Sequence, residues 1–355
     1  MLGAMSIPPH VTKAHATGND FVVYADPTGE FEPTEEEIRL LCDRHRGIGG
    51  DGLIRLAHPD AVSDLSDEQR GTCAAGNAEW FMDYRNADGS LAEMCGNGTR
   101  AITLFAIDQG IADGERPFRL GTRAGVKTLT PLGDKEPYGR DVLRVDMGAW
   151  RIGELGAYEV TIPGTTGSAL GTFVDMGNPH VVAVIGIAGE MTSDIMDSPK
   201  NMKAANSVTG DAGSAEGRAD AVAGGSTREA TETGADAVTL LRASLPDVED
   251  LDLVTKPQVA PAIESDQNVE FVRIDAIDRN TDEGKATMRV NERGCGETLS
   301  CGTGLCATAI TLRALTGIDH WDVTVRGGVL RVDVDDTNVT LTGSATIVGD
   351  IALRW

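Results

Sequence analysis

Two cysteines stand where a thiol could be activated. Cys95 lies in Met94-Cys95-Gly96-Asn97-Gly98-Thr99-Arg100-Ala101, and Cys301 lies in Ser300-Cys301-Gly302-Thr303-Gly304-Leu305-Cys306-Ala307. Each Cys-Gly-x-Gly core runs into an apolar helical stretch, the first ending at Gly110 and the second near Gly317. The first backbone N–H groups of a helix have no intrahelical partner, and that end carries partial positive charge. A thiol there is expected to have its pKa drawn below the free value of about 8.5. The glycines let a ligand approach the backbone closely, and a carboxylate can sit on the same amides. One such site could serve a redox thiol, a nucleophile or a general base.

Two such sites fit a narrower task. Inverting a stereocentre without a redox step removes a proton from one face of a carbon and returns one to the other, so one group is the base and its partner the acid. A thiolate and a thiol facing each other fulfil both roles and exchange them in the reverse reaction. Converging helix N-termini offer fixed dipoles for the negative charge that develops, and a dry pocket strengthens them. Most unpaired cysteines are small buried hydrophobes. That reading is adopted for Cys42, Cys73 and Cys306; the duplicated context of Cys95 and Cys301 argues against it for them.

The elements that must position these thiols can be read around them. The two copies lie 206 positions apart (301 minus 95) and suggest two related lobes. In the first half, Val22–Ala25 reads as a strand. Thr34 reads as the N-cap of a helix through Cys42, with Glu37 completing a capping box. Gly47–Gly52 is a glycine turn into the strand Leu53–Leu56, and Ala61–Glu79 reads as a loop insertion. Trp80–Arg85 reads as a strand before the turn Asn86-Ala87-Asp88-Gly89. Several strands follow between Arg119 and Met147, broken by a loop at Pro131–Tyr138. A second series starts near Phe173, with the turn Gly177-Asn178-Pro179-His180 and strands at Val181–Ile185, Val269–Ile274 and Thr287–Val290. The close, Thr346–Trp355, reads as a final strand. Residues 204–237 are rich in Ala, Gly, Ser, Thr and acids, hold no Leu, Ile, Met or aromatic residue, and read as a disordered insertion.

The 355 residues suffice for two modest domains. Lysine plus arginine total 31 against 55 aspartates plus glutamates, and the net charge of -24 disfavours nucleic acid and anionic membrane surfaces. No secretory signal is read at Met1–His10, and no apolar run is long enough to span a bilayer. The six cysteines form no Cys-x-x-Cys pair, so no metal site is expected. A cytoplasmic protein with reduced thiols is the expectation.

With these residues assembled, the chain resembles the diaminopimelate epimerases. The motifs that carry the resemblance, in order, begin with His15-Ala16-Thr17-Gly18-Asn19-Asp20-Phe21 and Arg44-His45-Arg46-Gly47-Ile48-Gly49-Gly50-Asp51-Gly52. Asn86-Ala87-Asp88-Gly89-Ser90, the Cys95 segment, Gly177-Asn178-Pro179-His180 and Asn268-Val269-Glu270-Phe271 follow. Asn291-Glu292-Arg293-Gly294-Cys295-Gly296-Glu297-Thr298 leads into the Cys301 segment. The resemblance covers nearly the whole chain outside the insertions, and the set is far more specific than any one member.

It implies an α/β fold of two pseudo-symmetric lobes, each a curled, mostly antiparallel sheet around a central helix, with the active site in the cleft. The expected lobes are 1–143, completed by the last strand at 344–355, and 144–343. It implies interconversion of LL- and meso-diaminopimelate without pyridoxal phosphate, metal or any other cofactor, supplying lysine and peptidoglycan synthesis. Cys95 and Cys301 would be the acid–base pair. His180 and Glu292 would handle protons or bind the reacting amino-acid head. The amides of Gly96, Asn97, Gly302 and Thr303 would hold the reacting carboxylate, and Asn19, Asn86, Asn178, Asn268 and Arg293 the distal head. An arginine fork and asparagine amides suit a group that is both donor and acceptor. Asp20 and Glu297 read as structural. A small-molecule substrate is the implied partner, and a homodimer is left open. Ala16 stands where the family usually has glycine. Gly52 stands where some members carry a side-chain amide. Three readings compete: a proline or hydroxyproline racemase, a PhzF-like isomerase, and a non-catalytic binder of dicarboxylic amino acids. The Glu292-Arg293 pair with the asparagines argues against the first, and the intact cysteines against the other two.

Overall fold

Thr17 and Gly18 both take positive φ, 49° and 84°, the requirement of a tight two-residue hairpin. They fold β1 (His10–Ala16) back onto β2 (Asn19–Ala25), with Ala16 opposite Asn19. Ala16 is therefore an ordinary buried strand residue, and its methyl group costs the turn nothing. The computed structural model describes residues 6–188 and 243–354. The expected insertion at 204–237 lies outside the described residues.

Seven strands form the first half: β1, β2, β3 (Gly52–Ala57), β4 (Trp80–Asn86), β5 (Phe118–Thr122), β6 (Gly125–Lys135) and β7 (Gly139–Gly148). Neighbours pair antiparallel, parallel, antiparallel, parallel, antiparallel, antiparallel. Short strands β8 (Arg151–Ile152) and β9 (Tyr158–Thr161) lead into the second half. There, β10 (Ala169–Asp175) pairs with β11 (Pro179–Ile187). The edge strand β12 (Gln258–Ala260) precedes β13 (Asn268–Asp278), β14 (Glu283–Glu292), the short β15 (Gly296–Thr298), β16 (His320–Val325), β17 (Gly328–Val334) and β18 (Val339–Ser344). The ladder β10–β11–β13–β14–β16–β17–β18 repeats the same six-step pattern of directions. The final strand β19 (Thr346–Ala352) returns to β1, and β18 pairs with β7 across the two halves. Two pseudo-symmetric, mostly antiparallel halves joined edge to edge follow directly from these pairings.

Parallel neighbours need a crossover, and the chemistry sits at the start of two of them. Between β4 and β5 runs α3 (Gly96–Asp108), which packs on β1, β2, β7 and β19. Between β14 and β16 runs α4 (Gly302–Thr316), which packs on β10, β11, β13 and β17. Both helices are buried nearly all round, as expected of a central helix wrapped by a sheet. Ile102, Phe105, Leu305, Ile310 and Leu312 join Met82, Trp321 and Leu341 in one core that spans both halves. Two shorter helices lie outside it: α1 (Glu35–Cys42), with the expected Thr34–Glu37 capping box, and α2 (Asp67–Ala75).

Helix α2 corrects the reading of Ala61–Glu79 as a loop. Ser66 accepts from the backbone of Gln69, and Gln69 reaches back to Ser66, a capping box that starts a helix in a polar stretch. Its one fully buried apolar side chain is Cys73, so the amphipathic period that reveals most helices is nearly absent. The loop expected at Pro131–Tyr138 is also narrower, because β6 continues to Lys135 and β7 resumes at Gly139.

Candidate active site

Cys95 and Cys301 are the N-caps of the two central helices, both in extended backbone (φ -137° and -121°). The Cys95 Sγ accepts from the Gly98 N–H at 3.4 Å. The Cys301 Sγ lies 3.6 Å from Thr303 Oγ1. The two helix starts meet almost head to head. A Cβ added to Gly302 would stand 3.1 Å from Gly96 Cα and 3.4 Å from Asn97 N. Only glycine permits that approach, and it aims two sets of unpaired first-turn amides into one region.

Side chains lock this junction. Asn97 donates through Nδ2 to the Ser300 carbonyl at 3.0 Å, and Thr17 Oγ1 bonds Ser300 Oγ at 3.0 Å. Asn19 Oδ1 accepts from the Cys95 thiol (3.4 Å) and from Asn97 Nδ2 (3.3 Å), while Asn19 Nδ2 donates to Asp51 Oδ2 at 2.7 Å. Asn178 Nδ2 donates to Thr303 Oγ1 at 3.3 Å. Glu292 accepts from the Thr298 hydroxyl. Burial raises its carboxyl pKa, and the Thr298 hydroxyl and the nearby Cys301 thiol oppose the rise.

His180 is fully buried, with its ring Nδ1 2.7 Å from Glu270 Oε1. That pairing puts the donor on Nδ1 and leaves Nε2, which has no partner among the described residues, as the available nitrogen. Glu270 reaches this place because residue 304 is glycine: a Cβ there would lie 2.6 Å from Glu270 Oε1. Asn268 Oδ1 accepts from the Arg293 N–H at 2.9 Å, and its Nδ2 donates to the Pro179 carbonyl at 3.2 Å. The exposed Arg293 guanidinium donates to the Ser265 carbonyl. Asn86 is the most detached of the set. Its amide donates to Ser90 within its own turn, and strand pairing with Gly52 brings it beside Asp51. Gly52 itself is fixed by packing, since a Cβ would meet Arg85 O at 2.5 Å and the Tyr84 ring at 2.6 Å. A side-chain amide does not fit there in this chain.

The thiols correct one expectation. Burial pushes Cys95 up to about 11, and the charge of Glu292 adds to that. The amides of Gly98 and Asn97 pull it down by less. Burial, with Glu292 and Glu270, drives Cys301 well above the ordinary range. Desolvation outweighs the helix dipole at both sites. Alkylation of Cys95 in the free protein is therefore expected to keep rising with pH toward about 11. At neutral pH it should run on the order of a hundred-fold below an unhindered cysteine. Iodoacetamide labelling followed by peptide mapping measures this; a plateau at or below pH 8.5 would show that the helix amides dominate instead.

Glu270, Thr298, Asp51 and Ser300 were not singled out from the sequence, although all stand inside the quoted motifs or beside them. Glu270 carried a usable signal: an acid between Val269 and Phe271 in an apolar strand must be buried, and a buried carboxylate needs a partner. Asp20 and Glu297, read as structural, hold cations. Asp20 bonds Lys13 and Arg44, and Glu297 bonds Arg289 and Arg326.

Comparison with known proteins shows what the chain is similar to. The family described as diaminopimelate epimerase matches residues 11–152 and 243–348. The diaminopimelate epimerase of Rhodococcus jostii strain RHA1 is 33% identical over 343 residues, covering 95% of this chain and 94% of the relative. That of Corynebacterium aurimucosum is 34% identical over 343 residues, covering 95% and 96%. Among solved structures, a phenazine biosynthesis protein of the PhzF family from Bacillus anthracis superposes with a TM-score of 0.55 at 13% identity, covering 98% of this chain and 99% of that one. At that identity the likeness is one of fold.

Proposed function

Since this chain belongs to the diaminopimelate epimerase family, we propose that Cys95 and Cys301 invert one α-carbon of diaminopimelate by a two-base mechanism. The activity is the interconversion of the LL and meso forms. The observation that carries the mechanism is the junction itself: two helix starts so close that a side chain at Gly302 would meet the backbone of Gly96, each capped by a cysteine. A carboxylate on the amides of Gly96, Asn97, Gly302 and Thr303 would hold the reacting carbon between the two sulfurs.

In one direction a thiolate removes the α-proton, electron density moves into the bound carboxylate, and the opposite thiol returns a proton to the other face. The charge passes from one sulfur to the other, and exchange with solvent resets the pair. Burial raises both thiols above their ordinary pKa, so a thiolate needs help to form. Glu292 lies near Cys301 and offers a carboxylate acceptor whose pKa burial raises above the ordinary carboxylate value. The substrate ammonium brings a cation that favours a thiolate. His180, held by Glu270, presents Nε2 to the reacting head. Asn19, Asn86, Asn178, Asn268 and Arg293 bind the distal head.

The lobes we propose are 1–143 with 344–355, and 144–343; the separate strand sets around α3 and α4 support two lobes, while β7 (Gly139–Gly148) runs on past residue 143 as a strand of the first set. A cytoplasmic setting, no need for a cofactor, and supply of lysine and peptidoglycan synthesis complete the reading. Among the described residues no helix is long and apolar enough to cross a membrane. Supplying LL-diaminopimelate alone should yield a mixture with the meso form, while proline and hydroxyproline stay unchanged. Racemisation of proline, or an inert LL substrate, would overturn the assignment.

A further inference from the structure

Among the described residues two arginines are fully buried, and they are treated in opposite ways. Arg55 is neutralised by Asp26 at 3.1 Å and Asp83 at 3.0 Å. Arg100, one turn into α3, pairs with no carboxylate among the described residues. Its Nη2 donates to Asn97 Oδ1 at 2.8 Å and Thr17 Oγ1 at 3.2 Å. Longer bonds reach the carbonyls of Gly96 and Ser344, both at 3.5 Å. Removing a guanidinium from water without a counter-charge is costly. An apolar side chain would serve a purely structural position better.

Both short bonds lead to the catalytic junction. A guanidinium can only donate, so it turns the Asn97 oxygen toward itself and the Asn97 Nδ2 toward Asn19 and Ser300. Asn19 then presents its oxygen to the Cys95 thiol. Thr17 passes its bond to Ser300 Oγ, on the residue before Cys301. Two chains from one cation thus set the register of both thiols. The charge also lies behind the helix starts, where the proposed mechanism brings a carboxylate and a thiolate.

We infer that Arg100 is a positioning residue for both cysteines and the resident counter-charge of the anion site, left unpaired because the balancing negative charge arrives with the bound substrate and the thiolate. This rests on the two-base reading given above. Burial lowers the Arg100 pKa to about 10, and the nearby sulfurs of Cys95 and Cys306 work the other way. Other ionisable groups bearing on Cys95 are Glu292, from the opposite half, and Tyr84.

The test compares Arg100→Gln and Arg100→Lys with the parent in three measurements: kcat and KM, thermal melting, and the pH dependence of Cys95 alkylation. The last needs no substrate, so it stands even if the substrate assignment fails. Arg100→Gln should lower kcat about 10- to 100-fold, less than the loss of a donor that touches the anion itself. It should shift Cys95 alkylation to higher pH, with a melting temperature equal to or above the parent's. Arg100→Lys keeps the charge without the fork, so the alkylation profile should stay near the parent's while kcat recovers only in part. Unchanged kcat and alkylation in Arg100→Gln would overturn the inference. So would equal loss of activity in both variants with no shift in alkylation, which marks a packing role. If Arg100→Gln does not fold, the lysine variant decides: a parental alkylation profile supports the counter-charge, and a shifted one refutes it.

Discussion

Replacing Cys95 or Cys301 by alanine should reduce epimerisation by about 10²–10⁴-fold, the range for loss of a general acid or base. Each sulfur serves one face of the carbon, so neither can stand in for the other. The two losses should not add, because the thiols act as one unit and the first deletion already breaks the proton path. Cys73→Ala is the control. Cys73 lies on α2 against Ala57, Val62 and Phe81, away from both helix starts. Full activity in that variant, with folded but inactive Cys95→Ala and Cys301→Ala, is the expected pattern. Steady-state rates from LL-diaminopimelate, with melting curves to confirm folding, measure it. A single alanine variant with near-parental turnover would leave only one thiol in the chemistry.

Gly302→Ala should be almost as damaging, without removing any functional group. The added methyl carbon would sit 3.1 Å from Gly96 Cα and 3.3 Å from Gly96 N. Those are backbone atoms at the start of a buried helix, so the relief must come from separating the two helix starts. A displacement near 1 Å at reacting groups can cost on the order of 10²-fold in rate. The loss should appear in both kcat and KM, because the same amides bind the carboxylate and stabilise its charge. Gly71→Ala, on exposed α2 with nothing within 4 Å of the added carbon, should leave activity alone and stabilise modestly. Near-normal kcat/KM in a folded Gly302→Ala would mean that the junction need not be tight.

Much of this was legible in the residues because it depends on local pattern. The paired Cys-Gly-x-Gly starts marked the two central helices, and the capping box at Thr34 marked α1. Strands around Val22, Leu53, Val269 and Thr287 were visible because they alternate or run apolar between turn residues. Helix α2 was missed because its amphipathic signal is weak and its capping box, Ser66 to Gln69, stood in a polar stretch. The direction of the thiol shift was missed for a different reason. A helix N-terminus is written in the sequence near Cys95, but the burial that overrides it comes from contacts far along the chain. The same holds for Glu270 and His180, 90 positions apart and joined by the parallel pairing of β11 with β13. It holds for Arg100 as well, since nothing local to α3 says that its guanidinium will find Thr17 and no carboxylate.

The two-base claim is tested most directly by isotope uptake at the earliest stage of turnover. LL-diaminopimelate is incubated with the protein in heavy water, and substrate and product are separated before the reaction has gone far. Two thiols on opposite faces predict that each new meso product carries one deuterium at the inverted carbon, delivered by a sulfur already equilibrated with solvent. The unreacted LL pool should remain protiated. Product that retains the original hydrogen would mean that one group takes and returns the same proton, and would contradict the assignment of Cys95 and Cys301 as an acid–base pair.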